Sequence, residues 1–170
     1  MHTVQIQMRL LPRLEISQRN FSSLDRESID SQIQNISNFV LKTGKVIPHD
    51  LVLLVQELKA SPELSDIQAL FVLRCCGSAM VDMPKLKRQL FVDDWWQTMM
   101  DQNISLQIQH YNTLLKAYLD NGKAFSPTDI MSEIASKNLE PNHITYEYII
   151  AKFCQVSKFD LRNCLRFDST

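Results

Sequence analysis

Cysteine and histidine are the residue types in this chain that could carry nucleophilic or metal chemistry. The cysteines are Cys75, Cys76, Cys154 and Cys164, and they form no paired CxxC motif of the kind that binds zinc. Cys75 and Cys76 are adjacent, so on a helix they point in different directions and cannot share a metal ion. The spacing therefore predicts reduced structural thiols in a protein that is not secreted.

The histidines offer no catalytic arrangement either. His49, His110 and His143 stand apart from any serine, cysteine or carboxylate pattern of a catalytic site. The chain has no glycine-rich phosphate loop, and no acidic cluster supports a nuclease or editing reaction. We therefore expect a protein that is not an enzyme and that uses no cofactor, metal ion or small-molecule substrate.

The composition restricts the classes of binding partner. The chain is 45% apolar and carries a formal net charge of −1 over its 170 residues. A net charge near zero gives no general attraction for the phosphates of a nucleic acid. No apolar run is long enough to cross a bilayer, so no membrane partner is expected. Any RNA contact must come from particular side chains rather than from the charge of the whole chain.

The elements that must position such side chains are helices in a repeating pattern. Apolar residues recur at spacings of three and four, which predicts an all-α chain of seven to eight helices. Four apolar residues of one helix recur 35 residues later: Tyr111, Leu114, Leu115 and Tyr118, then Tyr146, Ile149, Ile150 and Phe153. From this spacing we expect the first four, together with Tyr146 and Phe153, in the core. Two-helix units of this length predict a right-handed α-solenoid of stacked helix-turn-helix repeats.

Turn signals divide the chain into five segments. Residues 1–23 are basic and poor in acidic residues, which predicts either an organelle transit peptide or a disordered leader. Residues 24–62 form a helical hairpin, and residues 63–107 form a degenerate repeat with a loop insertion. Residues 108–142 are the best-formed repeat. Residues 143–170 are too few for a complete unit, so we expect an apolar face without a covering helix.

The sixth helix has the clearest boundaries in the sequence. Ser126 can cap its amino terminus, Pro127 suits the first turn, and Asp129 favours the positive end of a helix. Asn138 is placed to adopt the left-handed conformation that closes a helix. Pro141 then prevents the helix from resuming. The helix ends repeat as well, since Asn103 precedes Asn138 by the same 35 residues.

Residues 108–142 resemble the pentatricopeptide repeat. The first helix of that family opens Thr-Tyr-Asn-Thr-Leu-Ile and its second ends Gly-Leu-Lys-Pro-Asp, and here the corresponding segments read HYNTLL and NLEPN. Asn138 replaces the usual glycine, which a left-handed backbone tolerates. A wider set of segments is similar to the leucine-rich pentatricopeptide-repeat proteins of animal mitochondria over roughly residues 28–157: LRCCGS, YNTLLKAYLDN, FSPTD and LEPNHITYEYIIAKFC.

The resemblance implies a function and a location. It implies a module that binds single-stranded messenger RNA in the mitochondrial matrix and contributes to its stability, processing or translation. It also implies a small RNA-recognition-motif protein as a partner, and a second location in the nucleus. The alternative is a protein-interaction scaffold built on the same solenoid, with little direct RNA contact.

The resemblance also implies where a base is read. In such repeats one base meets a side chain near the start of the first helix and the residue that closes the repeat. By motif alignment this pair is Asn112 and Asn142, which in the family favours pyrimidines, and the base would be sandwiched by Gln109 and Ile144. The neighbouring units depart from the family pattern and offer weaker candidates: Gln68, Gln107 and Glu147.

Trp95 and Trp96 are the candidates for a protein interface. Adjacent helix residues point to different sides, so we expect one ring inside and the other near the surface. Surface tryptophans favour interfaces. This pair, together with Glu147 and the near-neutral charge, supports the scaffold, whereas Asn112 and Asn142 support RNA binding.

Overall fold

The computed structural model describes residues 28–61 and 63–167, and the side chains as far as Gln155. The described residues form helices and turns without a strand. Seven helices lie in these ranges: α1 (Ile29–Thr43), α2 (Pro48–Ala60), α3 (Asp66–Cys75), α4 (Lys85–Asp101), α5 (Ile108–Asn121), α6 (Pro127–Ser136) and α7 (His143–Phe167). The predicted all-α fold is therefore confirmed. The predicted leader lies outside the described residues.

Side-chain capping determines where several helices begin. Ser126 accepts a hydrogen bond from the backbone N–H of Asp129 at 3.3 Å, and Pro127 occupies the first turn of α6, as predicted. At α3, Ser65 and Gln68 form a capping box in which each side chain accepts from the other's backbone N–H at 3.2 Å.

None of the helices in the described ranges is long and apolar enough to span a membrane.

Two asparagines close the second helices of successive units in the same way. Asn103 follows α4 with a φ of 53°, and Asn138 follows α6 with a φ of 56°. In both places the N–H of the next residue donates to the carbonyl five positions back, at 3.1 Å. An identical closure at an interval of 35 residues is the structural form of the repeat that the sequence indicated.

The helices stack in one direction along the chain. The first helices of successive units, α3, α5 and α7, lie side by side, with α5 in contact with both neighbours. The second helix α4 packs against α3 and α5, and the α1–α2 hairpin joins the stack through contacts between α2 and α3. Stacked helix pairs of this kind form an α-solenoid, in which equivalent residues of the first helices share one surface.

Two apolar clusters hold the stack together, and Trp96 contacts both. The larger cluster surrounds the buried Trp95 between α2, α3, α4 and α5. The Trp96 ring meets the Tyr111 ring edge-on, with the ring centroids 5.2 Å apart. The smaller cluster contains four buried residues of α5 and α6: Tyr111, Leu115, Ile130 and Ile134.

Two apolar residues of the last unit differ from the sequence-based expectation of burial. Tyr146 is 50% exposed and Phe153 58%, whereas both were predicted in the core, and Ile150 on the same face is 60% exposed. Tyr111, the equivalent of Tyr146, is fully buried because α6 folds back and packs against it. No described helix covers α7 in the same way, since α7 continues as a single helix to Phe167. The predicted burial of Tyr146 and Phe153 is therefore wrong.

Candidate nucleic-acid interface

A cleft of about 640 Å³ opens along the first helices of consecutive units. Its wall contains Arg74 of α3, Asn112 and Lys116 of α5, and Asn142 and Ile144 at the start of α7. Three successive units therefore contribute to one concave surface. A cleft of this size can take a planar base together with part of its sugar and phosphate.

The two asparagines predicted to read a base lie next to each other in this cleft. Asn112 Nδ2 donates a hydrogen bond to Asn142 Oδ1 at 3.0 Å, across a separation of 30 residues in the chain. Asn112 is buried and Asn142 is partly buried. Motif alignment alone singled out these two positions, and the stacking of α5 on α7 places them in contact.

Asn142 is held in place because it caps α7. Its Oδ1 accepts a hydrogen bond from the backbone N–H of Thr145 at 3.2 Å. In return, Thr145 Oγ1 accepts from the backbone N–H of Asn142 at 3.1 Å. This reciprocal capping box fixes the Asn142 side chain at the amino terminus of the helix.

Thr145 also bonds the other asparagine and so closes a ring of hydrogen bonds. Its hydroxyl donates to Asn112 Oδ1 at 2.7 Å, and the residue is fully buried. The backbone N–H of Thr145 determines which end of the Asn142 amide is the oxygen. Asn112 must then turn its NH₂ group towards that oxygen and its own oxygen towards the Thr145 hydroxyl.

The groups that the ring leaves unused determine what the pair can bind. Of the four side-chain N–H groups on Asn112 and Asn142, one is used between them, and three have no partner among the described residues. Asn142 Oδ1 already accepts two hydrogen bonds, whereas Asn112 Oδ1 accepts one and retains a lone pair. The pair therefore offers a ligand an excess of donors over acceptors.

Positive charge lines the same cleft. Arg74 is exposed there, and Lys116 forms an i,i+4 ion pair with Asp120 at 2.9 Å. The Asp120 carboxylate also accepts from the backbone N–H of Ser78 at 3.2 Å, so two donors already engage it. Asp120 itself lines the cleft, so the formal charges of Arg74, Lys116 and Asp120 leave an excess of one positive charge there, although the whole chain carries −1. Sequence reasoning missed Arg74 and Lys116 because counting charge along the chain does not show which residues share a face.

Of the other residues predicted to contact RNA, two line the cleft and three do not. Gln109 and Ile144 both line the cleft together with the asparagine pair. Three weaker candidates are not among the cleft residues: Gln68, Gln107 and Glu147. Gln68 caps α3, and Gln107 accepts a hydrogen bond from Gln109 at 2.8 Å. Glu147 is exposed on α7.

The tryptophan pair contributes to the core more than to the surface. Trp95 is fully buried, and its Nε1 donates to the carbonyl oxygen of Ala69 at 3.1 Å. Trp95 therefore presents no surface to a partner in this conformation. Trp96 is partly buried against Tyr111, so the predicted protein interface depends on the exposed part of Trp96.

The adjacent cysteines are buried thiols. Burial raises the pKa of Cys75 to about 12, and burial followed by the proximity of Cys75 raises the pKa of Cys76 well above its usual value. Cys76 Sγ donates to the carbonyl oxygen of Val72 at 3.0 Å. Over the described part of the chain, no group of three histidine, cysteine or acidic side chains could hold a metal ion.

Comparison with known proteins gives the class of this fold and cleft. Residues 96–155 match the sequence profile of the Pentatricopeptide repeat domain, a range that contains α5, α6 and the asparagine pair. These residues are a pentatricopeptide-repeat segment, which confirms the resemblance seen in the sequence. Pentatricopeptide repeats are in general binding modules rather than catalytic domains.

Particular relatives extend the similarity beyond that segment. The chain is 31% identical over 131 residues to the leucine-rich PPR motif-containing protein, mitochondrial, of Mus musculus, and equally so to that of Rattus norvegicus. It is 29% identical over 128 residues to the Xenopus tropicalis protein of the same name. The alignments cover 75–77% of this chain but 9% of each relative. All three names include "mitochondrial", which supports the predicted location.

Proposed function

We propose that this chain is a helical-repeat module that binds single-stranded RNA in mitochondria. The wider role is in the stability, processing or translation of messenger RNA. The observation that carries the proposal is the hydrogen-bonded pair Asn112–Asn142 in the wall of a cleft formed by successive first helices. The repeat class supports it, because pentatricopeptide repeats generally bind RNA.

The unused donors of the pair favour a pyrimidine. The Watson–Crick edge of cytosine offers two acceptors, O2 and N3, and that of uracil offers O2 and O4. Adenine offers N1 alone, and guanine offers O6 beside two donor groups. A pair with more donors than acceptors therefore matches a pyrimidine edge better than a purine edge.

Stacking and charge would supply the rest of the binding energy. Gln109 and Ile144 line the cleft and would sandwich the base, and base stacking contributes about 1–3 kcal/mol. Arg74 and Lys116 lie where they can meet the phosphates of the same strand. One reading site of this strength supports weak binding by itself. Tight binding needs further repeats or a partner, such as the small RNA-recognition-motif protein that the resemblance implies.

A protein-interaction scaffold is the second candidate function. The exposed apolar face of α7 favours it, because Tyr146, Ile150 and Phe153 are each at least half exposed. Glu147 lies on the same helix and repels a phosphate chain. In this alternative a partner protein packs on α7, and RNA contact in the cleft is incidental.

Titration with labelled oligomers separates the two functions. Short cytidine-only and adenosine-only strands are titrated with the wild-type chain and with the double variant Asn112→Ala/Asn142→Ala. We expect the double variant to lose about tenfold in affinity for the cytidine strand, roughly 1.4 kcal/mol, and less for the adenosine strand. The lost donors are those that suit a pyrimidine edge.

The matched control is Gln34→Ala/Asn38→Ala, which removes an exposed amide pair on α1 that is also hydrogen bonded at 3.0 Å. The control should bind both strands as the wild type does. A reading-pair variant that binds both strands as tightly as the wild type contradicts the proposal. Absence of binding by the wild type favours the scaffold.

A further inference from the structure

We propose that Thr145 is a positioning residue that sets the base preference of the Asn112–Asn142 pair. The inference rests on the proposed RNA-binding function. Thr145 is fully buried and is not part of the cleft wall, so it would touch no base. It acts through the two asparagines, and it belongs to the unit that follows the one being read.

The hydroxyl of Thr145 has one proton, and the geometry assigns it to Asn112. The oxygen accepts from the backbone N–H of Asn142 at 3.1 Å, so it offers its own proton elsewhere. Asn112 Oδ1 lies 2.7 Å away and Asn142 Oδ1 lies 3.3 Å away. The shorter contact is the better hydrogen bond.

This bond controls both the orientation and the acceptor capacity of Asn112. Two hydrogen bonds hold the Asn112 amide, one through its nitrogen to Asn142 and one through its oxygen from Thr145. The torsion that turns a terminal amide is soft, so the loss of either bond loosens its orientation. Loss of the Thr145 bond also leaves the Asn112 oxygen with two free lone pairs. The pair then offers the donors of a purine edge a second acceptor site, in addition to the lone pair that is already free with the bond in place.

The preceding unit provides a comparison within the same molecule. His110 stands 35 residues before Thr145 and also caps its helix, accepting the backbone N–H of Gln107 at 3.0 Å through Nδ1. Its buried Nε2 has no partner among the described residues. Gln68, the equivalent of Asn112 with the loop insertion allowed for, caps α3 instead. In the unit 108–142 the reading residue Asn112 is thus hydrogen bonded to Thr145, which caps the next helix. Among the described residues, no such bond joins Gln68 to His110 in the preceding unit.

The test uses two substitutions of Thr145. Thr145→Val keeps the shape of the side chain without the hydroxyl, and Thr145→Ser keeps the hydroxyl. The measured quantity is the ratio of affinities for cytidine-only and adenosine-only strands. We expect Thr145→Val to lower this ratio about fivefold, the effect of one ordinary hydrogen bond, and Thr145→Ser to keep the wild-type ratio. A purely structural role for Thr145 would weaken both strands equally and leave the ratio unchanged.

The possible failures can be told apart. If Asn112→Ala/Asn142→Ala loses the preference while Thr145→Val keeps it, the role of Thr145 is overturned and the proposed function stands. If the wild-type chain binds neither strand, the proposed function fails and this inference falls with it.

A measurement on the unmodified chain covers the case in which Thr145→Val does not fold. A buried hydroxyl proton that is donated to Asn112 exchanges slowly with water. We expect an NMR signal for the Thr145 hydroxyl with a nuclear Overhauser contact to the Asn112 side chain. A hydroxyl in fast exchange overturns the inference.

Discussion

Tyr111 and Tyr118 each place a buried phenol next to a carboxylate. Tyr111 donates to Glu133 at 3.0 Å, and Tyr118 donates to Asp93 at 3.2 Å. Burial first, and these carboxylates second, raise the pKa of both tyrosines well above the usual value. Burial similarly raises the pKa of the Cys75 thiol to about 12. These groups therefore keep their protons in the folded chain at a pH where the unfolded chain releases them.

We predict that the chain loses stability as the pH rises above about 9. Above that pH the unfolded state binds fewer protons than the folded state, so the free energy of unfolding falls. The slope is about 1.4 kcal/mol per pH unit for each such group. Urea unfolding followed by circular dichroism from neutral pH to about pH 11 measures it. Tyr118→Phe, which removes one titrating group, should give a shallower slope, and a stability independent of pH would contradict the prediction.

At the scale of the helices, the sequence predicted those features that depend on local chemistry. Ser126, Pro127 and Asn138 act within one or two turns of the chain, so their roles at the ends of α6 could be read directly. The 35-residue interval between equivalent residues gave the division of the chain into two-helix units. The half-exposed state of Tyr146 could not be predicted in this way. Periodicity shows that a helix has an apolar face but does not show that another helix covers it.

In the candidate binding site, too, the sequence did not predict the contacts that depend on how two helices pack. The motif selected Asn112 and Asn142 by their spacing within one repeat, and the structure joins their side chains by a hydrogen bond. The bond from Thr145 and the position of Arg74 depend on how one helix is rotated against the next. No single stretch of sequence contains that rotation, so these two residues emerged only from the structure.

The equivalent tyrosines of successive units should differ in their contribution to stability. We predict that Tyr111→Ala lowers the free energy of unfolding by about 3–5 kcal/mol, because it empties a buried site against α6 and Trp96. Tyr146→Ala, at the half-exposed equivalent position, should cost less than about 1 kcal/mol. Urea unfolding of both variants provides the comparison. Equal losses would show that α7 is covered in solution.

At the scale of the whole molecule, net charge and local charge lead to different expectations for RNA binding. A chain with a charge of −1 exerts little attraction at a distance. Arg74 and Lys116 nevertheless share one cleft with the reading pair. The dependence of RNA affinity on salt should therefore come from these two cations and not from the chain as a whole.

We predict that Arg74→Gln/Lys116→Gln makes the dependence of log affinity on log salt less steep by about 0.7 for each cation removed. The affinity for a cytidine strand over a range of salt concentrations gives this slope. Lys42→Gln/Lys45→Gln is the control, because it removes the same charge from exposed positions at the end of α1. A control that flattens the slope as much as the cleft variant would show that net charge, and not the cleft, attracts the RNA.

The central claim is that the amides of Asn112 and Asn142 meet a base of single-stranded RNA inside the cleft. The most direct measurement follows the side-chain amide NMR signals of a nitrogen-15-labelled chain during titration with a cytidine strand. We expect the signals of Asn112 and Asn142 to shift as the strand binds, while those of Gln34 and Asn38 on α1 stay in place. Binding of the strand that leaves the Asn112 and Asn142 signals unmoved would contradict the claim.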